Sequence, residues 1–163
     1  MDRDALLAIV HESLASIAVP RFFETERGFQ GALLTQLAQR IPVLPDGALI
    51  EQEYQKSPGQ HGLRIRPDII IHEPFNPTRH ADRREGNLAV IELKLNATKA
   101  QAASDFKNLT AMIDALHYPL GLFINVAAAV THAHLVPLEA RGRIVCFAVS
   151  WRDGRAHVFE ERT

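Results

Sequence analysis

Apolar residues recur with a helical period at the start of the chain. Leu6, Ile9, Val10, Leu14 and Ile17 share one side of a helix predicted over 4–19, which Pro20 ends. A second helix begins at Thr25, whose hydroxyl suits an N-cap. Glu26 follows in its first turn, where the helix dipole favours an anion. Its stripe is Phe29, Leu33, Leu37 and Ile41, and Pro42 closes it. The pattern then becomes strand-like, with strands predicted over 48–55, 63–72, 88–95 and 120–126. The second of these holds the run Ile69-Ile70-Ile71, and the third is apolar enough for the centre of a sheet. A helix over 98–116 precedes the last, with Ala102, Phe106, Leu109, Ile113 and Leu116 on or near one face. Pro45-Asp46-Gly47 reads as a turn and Ser57-Pro58-Gly59-Gln60 as a hairpin loop. Residues 73–87 read as a polar loop, and 127–139 as loop or short helix. Segments 143–151 and 156–161 form a closing hairpin around Asp153-Gly154. This order joins an antiparallel start to a crossover through a helix, which predicts one α/β domain over 1–163.

Composition narrows the picture. With 47% hydrophobic and 23% charged residues, the 163-residue chain can fill a core and is not of the disordered class. No apolar stretch reaches the roughly 20 residues of a bilayer span, so no membrane partner is expected. The start Met1-Asp2-Arg3-Asp4 is acidic where a signal peptide is basic. The single cysteine, Cys146, excludes an internal disulfide and a cysteine-based zinc cluster. Together these point to the cytoplasm. A net charge of −1 excludes a uniform polycation but leaves room for a local nucleic-acid surface. Lysine is scarce: Lys56, Lys94, Lys99 and Lys107 are the only four among 18 basic residues, which makes each worth attention.

Two segments place charge inside strongly apolar strands: Arg66-Pro67-Asp68-Ile69-Ile70-Ile71 and Val90-Ile91-Glu92-Leu93-Lys94-Leu95. An unpaired charge there is costly, so each needs a partner. Residues two apart in a strand share a face, so Glu92 and Lys94 point the same way. If the two strands are neighbours, Asp68 and Glu92 converge beside Lys94. Two carboxylates aimed at one point call for a cation, and a hard divalent ion, Mg2+ or Mn2+, suits oxygen donors. The same residues also read as a structural ion-paired cluster at the sheet edge.

Pro67-Asp68 followed by Glu92-Leu93-Lys94 resembles the signature of the PD-(D/E)XK nuclease superfamily. The order of elements over about 24–130 is similar to its restriction-endonuclease-like αβββαβ core, with an extra N-terminal helix and a C-terminal hairpin. The resemblance implies a mixed central sheet flanked by helices and hydrolysis of phosphodiester bonds, with DNA as the expected substrate. It implies that Asp68, Glu92 and the backbone carbonyl of Leu93 hold the metal, and that Lys94 positions or activates the attacking water. Glu26 matches the further glutamate that many members carry on the helix before the sheet, with Glu24 as the fallback; as a first-turn acid it is also explained by the helix dipole alone. Gln101 is followed four residues later by Asp105, not tyrosine, which departs from the recombination-helicase branch.

Further basic residues are candidates for the nucleic-acid backbone: Arg66, Lys99, and Arg83 and Arg84 of the polar loop. Solvated surface charge explains the last three equally well. Arg64 and Arg66 flank Asp68, so contact with the scissile phosphate and a salt bridge to an acid are both open to them. Cutting both strands of a duplex would call for a homodimer, and a chain this small also suits a component of a larger system. A module of the same fold that binds nucleic acid or a protein without cutting is the second reading. His72, His132 and His134 lack zinc-site spacing, and Cys146 lies in an apolar strand. Trp151 reads as packing at a strand end or as a base-stacking residue.

Overall fold

A computed structural model describes residues 1–41, 49–52, 59 and 63–163. Among them are three α-helices, α1 (Arg3–Ala15), α2 (Glu26–Arg40) and α3 (Lys99–Leu116). Six strands form one mixed sheet: β1 (Leu49–Gln52), β2 (Ile69–His72), β3 (Asn87–Leu95), β4 (Gly121–Val126), β5 (Ile144–Arg152) and β6 (Arg155–Arg162). They lie side by side in chain order. The β1–β2, β2–β3 and β5–β6 pairs are antiparallel, whereas β3–β4 and β4–β5 are parallel. This is an α/β fold.

The strand periodicity divides the core between the two faces of the sheet. Ile69, Ile71, Ile91 and Leu93 join Leu6, Val10, Phe29 and Leu33 in a core with α1 and α2. Ile70, Val90, Phe123 and Cys146 join Phe106, Leu109 and Met112 on the α3 face. Segment 127–143, which joins β4 to β5, makes two short 3-10 turns instead of a helix and adds Ala133, Val136 and Ala140 to the α3 side.

Two expectations change. The N-terminal helix ends at Ala15, not at 19, because the pre-proline residue Val19 is extended and Pro20 opens a 3-10 turn over Pro20–Glu24. The strand predicted over 63–72 is confined to Ile69–His72. Before it Leu63 and Ile65 pack against the α3 core, while Arg64 and Arg66 are exposed. Extending the β2–β3 register that pairs Ile69 with Ile91 would set Pro67 opposite Leu93, and proline has no N–H to continue the ladder. The first strand is described over Leu49–Gln52; the remainder of the segment predicted over 48–55, the Pro45-Asp46-Gly47 turn and most of the 57–60 loop lie outside the described residues.

The β3–α3 turn is tightly held. Asn96 takes a left-handed backbone conformation and its N–H donates to Val126 O at 2.7 Å. Ala97 N–H donates to the buried Asn125 Oδ1 at 2.8 Å, and His132 Nε2 lies 2.9 Å from Ala97 O. Thr98 and Gln101 close a reciprocal capping box on α3. These contacts set where α3 starts, and so where its side chains meet β3.

Candidate functional site

The end of β3 and the start of β2 meet in a cleft of about 430 Å³. It is lined by Glu26, Arg27 and Gln30 of α2, by Arg64, Ile65, Arg66 and Asp68 before β2, by Glu92 and Lys94 of β3, and by Asp105 and Asn108 of α3. The two strands are neighbours, and Asp68, Glu92, Lys94 and Glu26 line one cleft.

Each side chain has a local reason for its place. Because the ladder stops at Pro67, Leu93 N–H has no strand partner on that side and donates to Asp68 Oδ2 at 2.7 Å. Gln30 Nε2 donates to Asp68 O at 2.8 Å and ties α2 to the same bend. Glu92, buried in the centre of β3, stands within hydrogen-bonding reach of the Asp68 carboxylate. Thr25 caps α2 by accepting from Gly28 N–H at 3.1 Å, which aims Glu26 across the sheet end. Glu26 Oε2 accepts from Leu95 N–H at 3.4 Å. Lys94 Nζ donates to Leu93 O at 3.0 Å and lies 3.7 Å from Glu26 Oε1 and 3.8 Å from Asp105 Oδ2.

The charges differ in depth: Glu92 and Asp105 are buried, whereas Arg27, Arg64 and Arg66 are exposed. Four carboxylates surround one lysine, with Arg27, Arg64 and Arg66 along the rim. Burial, and then the nearby Asp68 and Asp105, push the Glu92 carboxyl well above its ordinary range. Burial also raises Asp68, against the pull of the Leu93 N–H and Lys94. Asp105 is pushed up to about 6, again chiefly by burial. Burial alone would lower the Lys94 ammonium, but Asp105, Glu26, Asp68 and Glu92 outweigh it and hold the group above its usual value. A buried surplus of acid of this kind is costly in a resting fold and is characteristic of functional sites.

Sequence reasoning treated Asp105 only as a departure from a motif. Its signal was present: Asp105 falls on the buried stripe of α3 between Ala102 and Phe106, where an apolar residue belongs. Arg27 and Asn108 were also not singled out, because polar residues beside the apolar stripe of a helix carry no signal in the sequence.

Other candidates lie elsewhere. Arg83 and Arg84 belong to the loop joining the end of β2 to the start of β3, at the opposite end of these strands. Six residues of extended strand, roughly 20 Å, separate Asn87 from Leu93. Arg83 stacks over Phe75, 5.0 Å from the ring centre. Lys99 is exposed on the first turn of α3 and does not line the cleft. Trp151 packs against Phe23, with ring centres 5.7 Å apart. His72 Nε2 lies 3.1 Å from Glu51 Oε2. Cys146 is buried, and burial pushes its thiol up to about 12. Among the described residues no helix is long and apolar enough to cross a membrane, and no group of three or more His, Cys, Asp and Glu side chains is disposed to hold a metal ion.

Fold and site together define an α/β protein with a mixed six-stranded sheet and an acid-and-lysine cleft at its strand ends. No protein-family model, curated protein or solved structure matches the chain.

Proposed function

We propose that the protein is a metal-dependent nuclease of PD-(D/E)XK type, hydrolysing phosphodiester bonds of DNA, with a restriction-endonuclease-like core. The observation that carries this reading is the meeting of Asp68, Glu92 and Lys94 in one cleft, built from a broken strand ladder and two adjacent strands. The donor set fits a hard cation. Asp68 and Glu92 offer carboxylate oxygens and Leu93 a backbone carbonyl, and Mg2+ commonly takes one or two carboxylates while keeping several waters. Oxygen donors of this kind suit Mg2+ or Mn2+.

When bound, such a cation supplies an activated water and neutralises phosphate charge. The chain's own groups do the rest. Leu93 N–H holds the Asp68 carboxylate in one orientation. Lys94 supplies a positive charge where negative charge develops on the phosphate. Glu26 accepts from Leu95 N–H and keeps the ammonium in the cleft; in this reading it is a positioning residue more than a ligand. Arg64 and Arg66 stand on the rim, where guanidinium groups suit the flanking phosphates. The test is Mg2+- or Mn2+-dependent cleavage of labelled single- and double-stranded DNA. Loss of cleavage in Asp68→Ala and Lys94→Ala supports the assignment, and cleavage that survives both removes it.

A second reading, a module that binds nucleic acid or protein without cutting, is favoured by one observation. The Lys94 ammonium already donates to the Leu93 carbonyl that the cation would share. Titration calorimetry separates the two, since a cleft that takes up no Mn2+ at millimolar concentration is the binding module. A homodimer or a larger assembly is part of either proposal.

A further inference from the structure

The nuclease reading leaves one buried group in the cleft without a task. Asp105 projects from the second turn of α3 into the cleft, only 6% exposed. Its Oδ2 atom is buried and has no hydrogen-bond partner. A carboxylate oxygen left in that state costs free energy that an apolar residue at the same stripe position would not. The nearest ammonium, Lys94 Nζ, stands 3.8 Å away, about 1 Å too far for a hydrogen bond. Lys94 donates instead to Leu93 O at 3.0 Å. That carbonyl is the oxygen a cation held by Asp68 and Glu92 would share, and a dication there would repel the ammonium from it.

Lys94 then needs another anchor. Glu26 lies on one side at 3.7 Å, but its side chain is 37% exposed and its charge is screened by water. Asp105 lies on the other side, with a side chain only 8% exposed. The backbone that carries it is held by the Asn125 and His132 contacts to Ala97 and by the capping box at Thr98. The acceptor is therefore both vacant and rigidly placed.

We infer that Asp105 is a positioning residue for Lys94, supplying the buried anchor that keeps the ammonium beside the reacting phosphate once the Leu93 carbonyl is engaged by a cation. Asp105 itself touches no reacting atom. The inference rests on the nuclease reading for its catalytic consequence, while the contact between Asp105 and Lys94 stands without it.

The experiment compares the full chain with Asp105→Asn and Asp105→Glu, using Lys94→Arg to assign the signal. The first readout is the ammonium NMR signal of Lys94, which is resolvable because the chain has four lysines. The second is steady-state cleavage of a DNA oligonucleotide in Mg2+. Asp105→Asn is expected to shift the Lys94 signal and speed its proton exchange. It is also expected to lower kcat by about 10²-fold with KM within about twofold, because a small displacement of a charge-stabilising group is felt in the chemical step. Asp105→Glu restores a large part of both. An unmoved Lys94 signal overturns the inference, and so does a full kcat in Asp105→Asn or a loss confined to KM. If the wild-type chain cleaves no DNA, the nuclease reading falls by itself, and a Lys94 signal that still responds to Asp105→Asn upholds the anchor. Should Asp105→Asn fail to fold, Asp105→Ser removes the same charge and carries the same readouts.

Discussion

The two ends of the β2–β3 pair treat charge in opposite ways. At the loop end, Glu73 accepts from Arg79 at 3.0 Å and lies 3.2 Å from His80 Nε2, while Arg83 rests on Phe75. Cations there have partners beside them, and Arg79 is 41% exposed in side chain. At the cleft end, Glu26, Asp68, Glu92 and Asp105 crowd around Lys94, and Glu92 and Asp105 are buried. The loop end is what a fold does with charge when only solubility and a stable loop are at stake. The cleft end keeps like charges close together in low dielectric, which destabilises the resting protein. Surplus buried acid, more than the number of charges, separates the cleft from the loop end.

The largest effects fall on the cleft. Asp68→Ala and Lys94→Ala are expected to reduce metal-dependent cleavage by about 10³-fold or more while leaving the circular dichroism spectrum unchanged. Next comes Glu92→Gln, which removes one buried like charge. It should stabilise the metal-free protein at neutral pH by about 1–3 kcal/mol in urea unfolding while weakening Mn2+ binding. A result in which Glu92→Gln destabilises would mean that the cleft charges are balanced after all.

The pH dependence follows from the raised carboxyls. Asp105 moves from 3.8 to about 6, and Asp68 and Glu92 move the same way. The folded state therefore binds more protons than the unfolded one between about pH 4 and 6, so stability is lost as pH rises through that window. The metal-free protein should melt at a higher temperature at pH 5 than at pH 7, and Asp105→Asn should flatten the difference. The smallest effect belongs to the loop end. Arg79→Ala, which removes an exposed ion pair, should cost under about 1 kcal/mol and leave cleavage unchanged. A large loss of activity from Arg79→Ala would erase the contrast between the two ends.

Much of the architecture was legible in the chain because local physics dictates it. The α2 stripe from Phe29 to Ile41 and its Thr25 cap appear as predicted, as does the α3 stripe behind Thr98. The alternation in Val90-Ile91-Glu92-Leu93-Lys94 put Glu92 and Lys94 on one face, and the structure keeps them there, above Val90 on the α3 side. The early end of the first helix was less legible, because Ile17 extends the apolar period past the point where the backbone turns toward Pro20.

The chain alone determined which residues carry charge into apolar strands and which periods build helices, since both follow from spacing along one segment. Only the tertiary structure decided that Asp105 belongs with Lys94 and that Arg83 and Arg84 do not. Those facts depend on how α3 docks on the sheet and on which end of an antiparallel pair a loop occupies. Neither distance is encoded locally: residues 94 and 105 meet because the turn at 96–98 is clamped, whereas residues 84 and 93 separate because a strand is rigid and long.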